Sequence, residues 1–173
     1  LSKLLTALVV YDICKEKNID IKRYKIEISQ SDKKNGVSKN QQVPIKRAFT
    51  IEQLLDMALV KSTNEAAEAL SRWIIPRVEF VRRMNQKARS LGMTKSKFTN
   101  PSWIQSSNTS TIWDLERLTV GILNSPYPIG KTTQKKETKI PWVKKGKRNK
   151  EWFLWSANVI TLSKIKEYGA TPV

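Results

Sequence analysis

Between Thr50 and Leu123 the chain carries helix start and stop signals at such short spacings that a cluster of short packed helices is the fold they allow. Thr50 and Gln53 form a reciprocal capping pattern ahead of Leu54, Leu55, Ala58 and Leu59, which predicts a helix from Ile51 to about Lys61. It stops at Ser62-Thr63-Asn64. A second helix is expected from Glu65 to about Ile75, ended by Pro76, because proline cannot continue a helix. A third runs from about Val78 to Leu91 with Phe80, Val81, Met84, Ala88 and Leu91 inward and Gly92 as its stop. Ser110 or Thr111 caps a fourth, from Ile112 to Leu123.

The flanks read differently. Leu4, Leu5, Leu8, Val9 and then Tyr11 or Cys14 recur at helical spacing up to Lys15, which argues a buried helix whose first turn holds Ser2 and Lys3. From Arg23 to Gln30 the pattern alternates, Tyr24, Ile26 and Ile28 on one face and Lys25, Glu27 and Ser29 on the other, as in a half-buried strand. Ser31 to Asn40, with Gly36, reads as a loop, and Glu151 to Ile160 as a strand rich in aromatic and β-branched residues. Helices in the middle with strands toward both ends give an α+β fold. With 173 residues and 39% hydrophobic content, the chain is long enough for one domain with a real core.

Composition excludes several chemistries. The chain contains no histidine, so neither a Ser-His-Asp nor a Cys-His relay can be assembled, nor a histidine-based zinc site. Any serine nucleophile here needs another base, and lysine is the available one. Cys14, the single cysteine, lies among Val10, Tyr11 and Ile13 and is expected to be a buried structural thiol. No apolar run reaches the about 20 residues that span a bilayer, no signal peptide is visible, and a first residue of Leu instead of Met is expected of a chain that has lost its beginning.

The net charge of +17 is concentrated between Lys131 and Lys150, near Trp142 and Trp152. Lysines interleaved with aromatics suit a phosphate-rich polymer, through counterion release and base stacking, so nucleic-acid binding is a rival reading. The segment has no nucleic-acid-binding signature, and the lysines elsewhere read as solvated helix faces. Gly130-Lys131-Thr132 suggests a phosphate loop, but Ser125 stands where the first glycine belongs and Thr133-Gln134-Lys135-Lys136 is no apolar helix start, so the nucleotide reading fails. Asp114 and Glu116 show no partner in sequence and read as charges that favour a helix N-terminus.

Three segments carry the candidate chemistry. Leu1-Ser2-Lys3 is followed by Leu4-Leu5-Thr6-Ala7, and a serine directly before Leu1 would lie three residues from Lys3, on one helix face and at the helix N-terminus, where backbone N–H groups favour a developing oxyanion. A partly desolvated lysine near other cations has a lowered pKa and accepts a serine proton. Ser62-Thr63-Asn64 falls on the turn between two helices; Ser62 or Asn64 could also simply cap the following helix. With Leu91-Gly92-Met93-Thr94, Phe98-Thr99-Asn100-Pro101 and Ser110-Thr111-Ile112-Trp113-Asp114-Leu115, this order resembles the serine D-alanyl-D-alanine carboxypeptidases, the low-molecular-mass penicillin-binding proteins.

The resemblance implies a penicillin-binding transpeptidase or β-lactamase-like fold over 1–173, partial at both ends: an antiparallel sheet packed by helices, with an all-helical subdomain at about 50–124. It implies Lys3, Ser62 and Asn64 as catalytic residues, with the nucleophilic serine just before Leu1. The substrate's terminal carboxylate would be bound by Lys166, Gly169 and Thr171, in Lys166-Glu167-Tyr168-Gly169-Ala170-Thr171-Pro172. There the family has Lys-Thr-Gly, a bulky residue and Thr-Pro; matching it needs one inserted residue and leaves the first threonine without a counterpart. The implied reaction is acyl transfer on peptidoglycan stem peptides ending in D-Ala-D-Ala, blocked by β-lactams, with no metal or cofactor. The implied location is extracytoplasmic, with membrane association open through segments outside the chain. The alternatives are a non-catalytic pseudoenzyme, a basic polymer binder or, with less support because a Glu-x-x-Leu-Asn element is missing, a class A β-lactamase.

Overall fold

The computed structural model describes residues 2–36, 43, 46–102, 107–142 and 150–155, with backbone only from 139 onward. Helix α1 (Ser2–Glu16) is the central element. Leu5, Leu8, Val9, Val10, Ile13 and Cys14 are buried around nearly its whole circumference, as in a helix wrapped by others. The Cys14 thiol is buried as expected. Strand β1 (Lys25–Glu27) pairs antiparallel with β2 (Ala48–Thr50), in the register Lys25 to Thr50, Ile26 to Phe49 and Glu27 to Ala48.

Strand β1 is shorter than its alternation predicts, because β2 offers only these partners and α2 begins at Gln30. Ile26 and Ile28 are buried as read, whereas Tyr24 is 47% exposed and lies against the Trp73 ring. Part of the expected loop from Ser31 is helix α2 (Gln30–Gly36). Its signal is a capping box one residue upstream: Asp32 N–H donates to Ser29 Oγ at 3.2 Å, and Ser29 N–H donates back to Asp32 Oδ2 at 2.8 Å. A bidentate ion pair from Arg72 to the buried Asp32 then fixes α2 on α4.

The middle helices follow their punctuation. Helix α3 (Ile51–Val60) has both halves of the Thr50–Gln53 box, at 3.2 and 2.9 Å. Helix α4 (Asn64–Trp73) follows the turn, with Thr63 as its N-cap residue but no side-chain cap bond. Helix α5 (Arg77–Ser90) buries Phe80, Met84 and Ala88, with Val81 and Leu91 only partly covered. It ends in a Schellman turn, where Gly92 has φ +78° and Met93 N–H donates to Ala88 O at 2.9 Å. Helix α6 (Ile112–Leu123) is capped by Thr111. Three elements had no sequence reading: strand β2, α7 (Ile129–Thr133) and strand β3 (Glu137–Trp142). β3 pairs antiparallel with β4 (Lys150–Trp155), the described part of the strand expected over 151–160.

Asp114 is not a free helix-end charge. It is buried, accepts from Lys95 N–H at 2.8 Å and Ser96 Oγ at 2.7 Å, and pairs with Arg117. It thereby ties the start of α6 to the segment after Gly92.

Candidate active site

The first turn of α1 meets the turn between α3 and α4. Lys3 Nζ lies 3.2 Å from Ser62 Oγ and 3.1 Å from the main-chain oxygen of Ser102. Residues far apart in sequence are joined because α1 runs beneath the α3–α4 corner. Ser62 sits in the left-handed region at φ +60°, a conformation costing a non-glycine residue about 1–2 kcal/mol. Thr63 N–H, donating to Met57 O at 3.0 Å, holds the corner closed. Strain of this kind is retained where surrounding structure over-determines it, and here it points the Ser62 hydroxyl at α1.

Asn64 opens α4, and its amide donates to Gly36 O at 3.2 Å, bridging the corner to the end of α2. Neither Ser62 nor Asn64 caps α4. A cavity of about 380 Å³ opens beside Lys3 and Ser62, walled by Ala58 and Leu59 of α3, Thr119 and Ile122 of α6, and Thr133 and Gln134 at the end of α7. Its volume suits a small peptide end. Lys166, Gly169 and Thr171 lie outside the described residues, as do Lys144, Lys145, Lys147 and Arg148 of the basic segment; within the described part, Lys135 pairs with Asp56 at 2.8 Å.

Burial pulls the Lys3 amine down from 10.5 to about 8. Among the described residues the charges acting on it are the carboxylates of Glu65 and Glu68, which push it the other way, so the lowering comes from desolvation. At pH 7 about a tenth of the molecules therefore hold a neutral amine, a usable base.

Sequence reading missed the groups behind this pair. Ser102 and Glu68 are both buried; Ser102 Oγ donates to Glu68 Oε1 at 2.8 Å, and Arg77 Nε pairs with Glu68 Oε2 at 2.9 Å. Asn108 Nδ2 donates to the buried Ser2 Oγ at 2.8 Å, while Asn108 Oδ1 accepts from Thr99 N–H at 2.7 Å. Glu65 is buried with no side-chain partner for its carboxylate oxygens among the described residues, and desolvation raises its pKa. No signal in the sequence could have found it: Asn64, Glu65, Glu68, Ser71 and Arg72 share one polar face of α4 opposite Ala66, Ala67, Ala69 and Leu70, as on a solvated helix, and only packing buries the two glutamates.

The D-alanyl-D-alanine carboxypeptidase family profile matches residues 1–166. The chain belongs to that family. The D-alanyl-D-alanine endopeptidase of Escherichia coli (strain K12) is 33% identical over 130 residues, 75% of this chain and 40% of that relative, so the chain spans about two fifths of that length. The crystal structure of the D-alanyl-D-alanine carboxypeptidase from Mycobacterium tuberculosis H37Rv superposes with a TM-score of 0.75 at 26% identity, over 90% of this chain and 55% of that one. Penicillin-binding protein D2 from Listeria monocytogenes, in its cefotaxime-bound form, gives 0.72 at 25% identity, over 94% and 63%. The fold of this carboxypeptidase-family chain is thus the penicillin-binding DD-peptidase fold, α+β and rich in helix.

Proposed function

We propose that this chain is the nucleophile-activating part of a serine-type D-Ala-D-Ala carboxypeptidase acting on peptidoglycan stem peptides. The observation that carries the reading is the 3.2 Å approach of a partly desolvated Lys3 amine to Ser62 Oγ at the mouth of a cavity, in a chain of this family. In this reading the serine directly before Leu1 attacks the carbonyl carbon of the penultimate D-Ala. Its proton passes to the neutral Lys3 amine, and Ser62, which can both donate and accept, relays it toward the leaving nitrogen. The C–N bond breaks, D-alanine departs with the proton, and water hydrolyses the ester of the acyl-enzyme. Lys166, Gly169 and Thr171 are assigned to the substrate carboxylate. β-Lactams, which a structural neighbour holds as cefotaxime, would acylate the same serine. An extracytoplasmic location follows from the substrate, since peptidoglycan lies outside the membrane. No described helix is long and apolar enough to cross one.

The test is intact mass after penicillin treatment of the protein in its natural flanking sequence. A single adduct on a serine directly before Leu1 is expected, and none on residues 1–173 expressed alone. An adduct on Ser2 or Ser62 would sink the assignment. No adduct with that serine present and the fold intact would make the protein a pseudoenzyme that holds peptidoglycan peptides without cleaving them. Binding to nucleic acid that weakens steeply with salt would favour the basic polymer reading.

A further inference from the structure

Among the described residues the Lys3 amine touches two groups of different character. Ser62 Oγ can donate or accept, whereas the main-chain oxygen of Ser102 can only accept. One Lys3 N–H is therefore committed to Ser102 whether the amine is charged or neutral. In the neutral amine, with the second N–H on Ser62, the lone pair is left for the remaining tetrahedral direction. The position of the Ser102 carbonyl thus decides where the base points.

That position is held from two sides. Thr6 Oγ1 of α1 donates to Pro101 O at 2.9 Å. The Ser102 hydroxyl, with its residue only 2% exposed, donates to Glu68 Oε1 at 2.8 Å. Glu68 is itself held by Arg77 Nε from the start of α5 at 2.9 Å. Resting on the activity proposed above, we propose that Ser102 and Glu68 are positioning residues for Lys3, with the Arg77-anchored Glu68 carboxylate locking the Ser102 segment so that its carbonyl aims the lysine amine. Neither side chain touches the reacting atoms in this reading. Both act through Lys3.

The charges facing Lys3 among the described residues are Glu65 and Glu68, both from α4. The cavity walls from α3, α6 and α7 contribute only uncharged side chains. Glu68→Gln keeps an acceptor for Ser102 and removes the charge, so it separates aiming from electrostatics.

The experiment measures penicillin acylation rate against pH for the protein in its natural flanking sequence, beside Ser102→Ala, Ser102→Thr and Glu68→Gln. Ser102→Ala is expected to slow acylation about 10-fold or more at every pH, as loss of alignment does. Ser102→Thr, which keeps the hydroxyl, restores it. Glu68→Gln moves the acid limb of the profile down by up to about 1 unit, because a carboxylate that favoured charged Lys3 is gone. Thermal melts identify a variant that fails to fold; if Ser102→Ala does, the Thr rescue and the Glu68→Gln limb still decide. Profiles of Ser102→Ala and Glu68→Gln that overlay the parent's would overturn the inference, as would Ser102→Thr acylating no faster than Ser102→Ala. A parent that is not acylated would overturn the proposed activity instead.

Discussion

Glu65 and Glu68 stand one turn apart on α4, both buried, both within electrostatic reach of Lys3, yet their surroundings differ completely. Glu68 faces the Ser102 segment and α5, where a hydroxyl and a guanidinium fill its lone pairs. Glu65 faces the end of α2, where a Cβ added to Gly36 would lie 3.0 Å from its Cγ and its main-chain nitrogen, so backbone packs tightly against it and, among the described residues, no side chain hydrogen-bonds its oxygens. A buried carboxylate with partners organises what surrounds it. One without partners resists ionisation and costs stability instead.

The largest effect should come from removing what both carboxylates face. In the protein with its natural flanking sequence, Lys3→Met should lower penicillin acylation at least ~100-fold. It should also raise the melting temperature at pH 7: the native pKa of about 8 lies below the ordinary 10.5, so the unfolded chain binds more protons between them and parent stability climbs with pH there. Melts at pH 7 and pH 10.5 would show the variant's advantage shrinking, and a constant difference would contradict the assignment.

Breaking the partnered side comes next. Glu68→Ala leaves Ser102 Oγ without its acceptor and Arg77 without its counter-ion, and should cost about 2–4 kcal/mol in denaturant unfolding. A cost below that of the same change at Glu65 would invert the comparison. Gly36→Ala ranks third, at about 1–3 kcal/mol, because its Cβ would press on the Glu65 backbone and force the helix start outward.

The smallest expected effect sharpens the contrast most. Glu65→Met, similar in length and apolar, should be neutral or stabilising by about 1 kcal/mol. Because the native state holds the Glu65 proton more tightly than the ordinary value of 4.5, parent stability should fall as pH rises through the window above it. The Met variant's advantage should therefore grow from pH 4.5 upward. If unfolding free energies of the two proteins run parallel across that range, Glu65 has a partner in solution.

Much of this arrangement was legible in the chain. The Thr50–Gln53 box, Pro76, Gly92 and Thr111 act within a few residues of themselves, so their helices appeared within a residue or two of where they were read. Helix α2 was missed because its seven residues lack an apolar stripe; its evidence was the Ser29–Asp32 box and an ion pair to Arg72 forty positions away. Lys3, Ser62 and Asn64 could be singled out because their spacing and turn resemble a family. Ser102 and Glu68 could not, since a serine and a helical glutamate look the same in sequence whether solvated or buried.

What the sequence by itself determined is the set of helices, their ends, and the exclusion of histidine chemistry, because capping, proline geometry and composition are local. Only the tertiary structure decided that Lys3 reaches Ser62, that burial brings its amine to about 8, and that of two glutamates on α4 one has side-chain partners among the described residues and the other has none. Those outcomes depend on which surfaces meet when α1, α4 and the Ser102 segment pack together, and desolvation acts only once they have met.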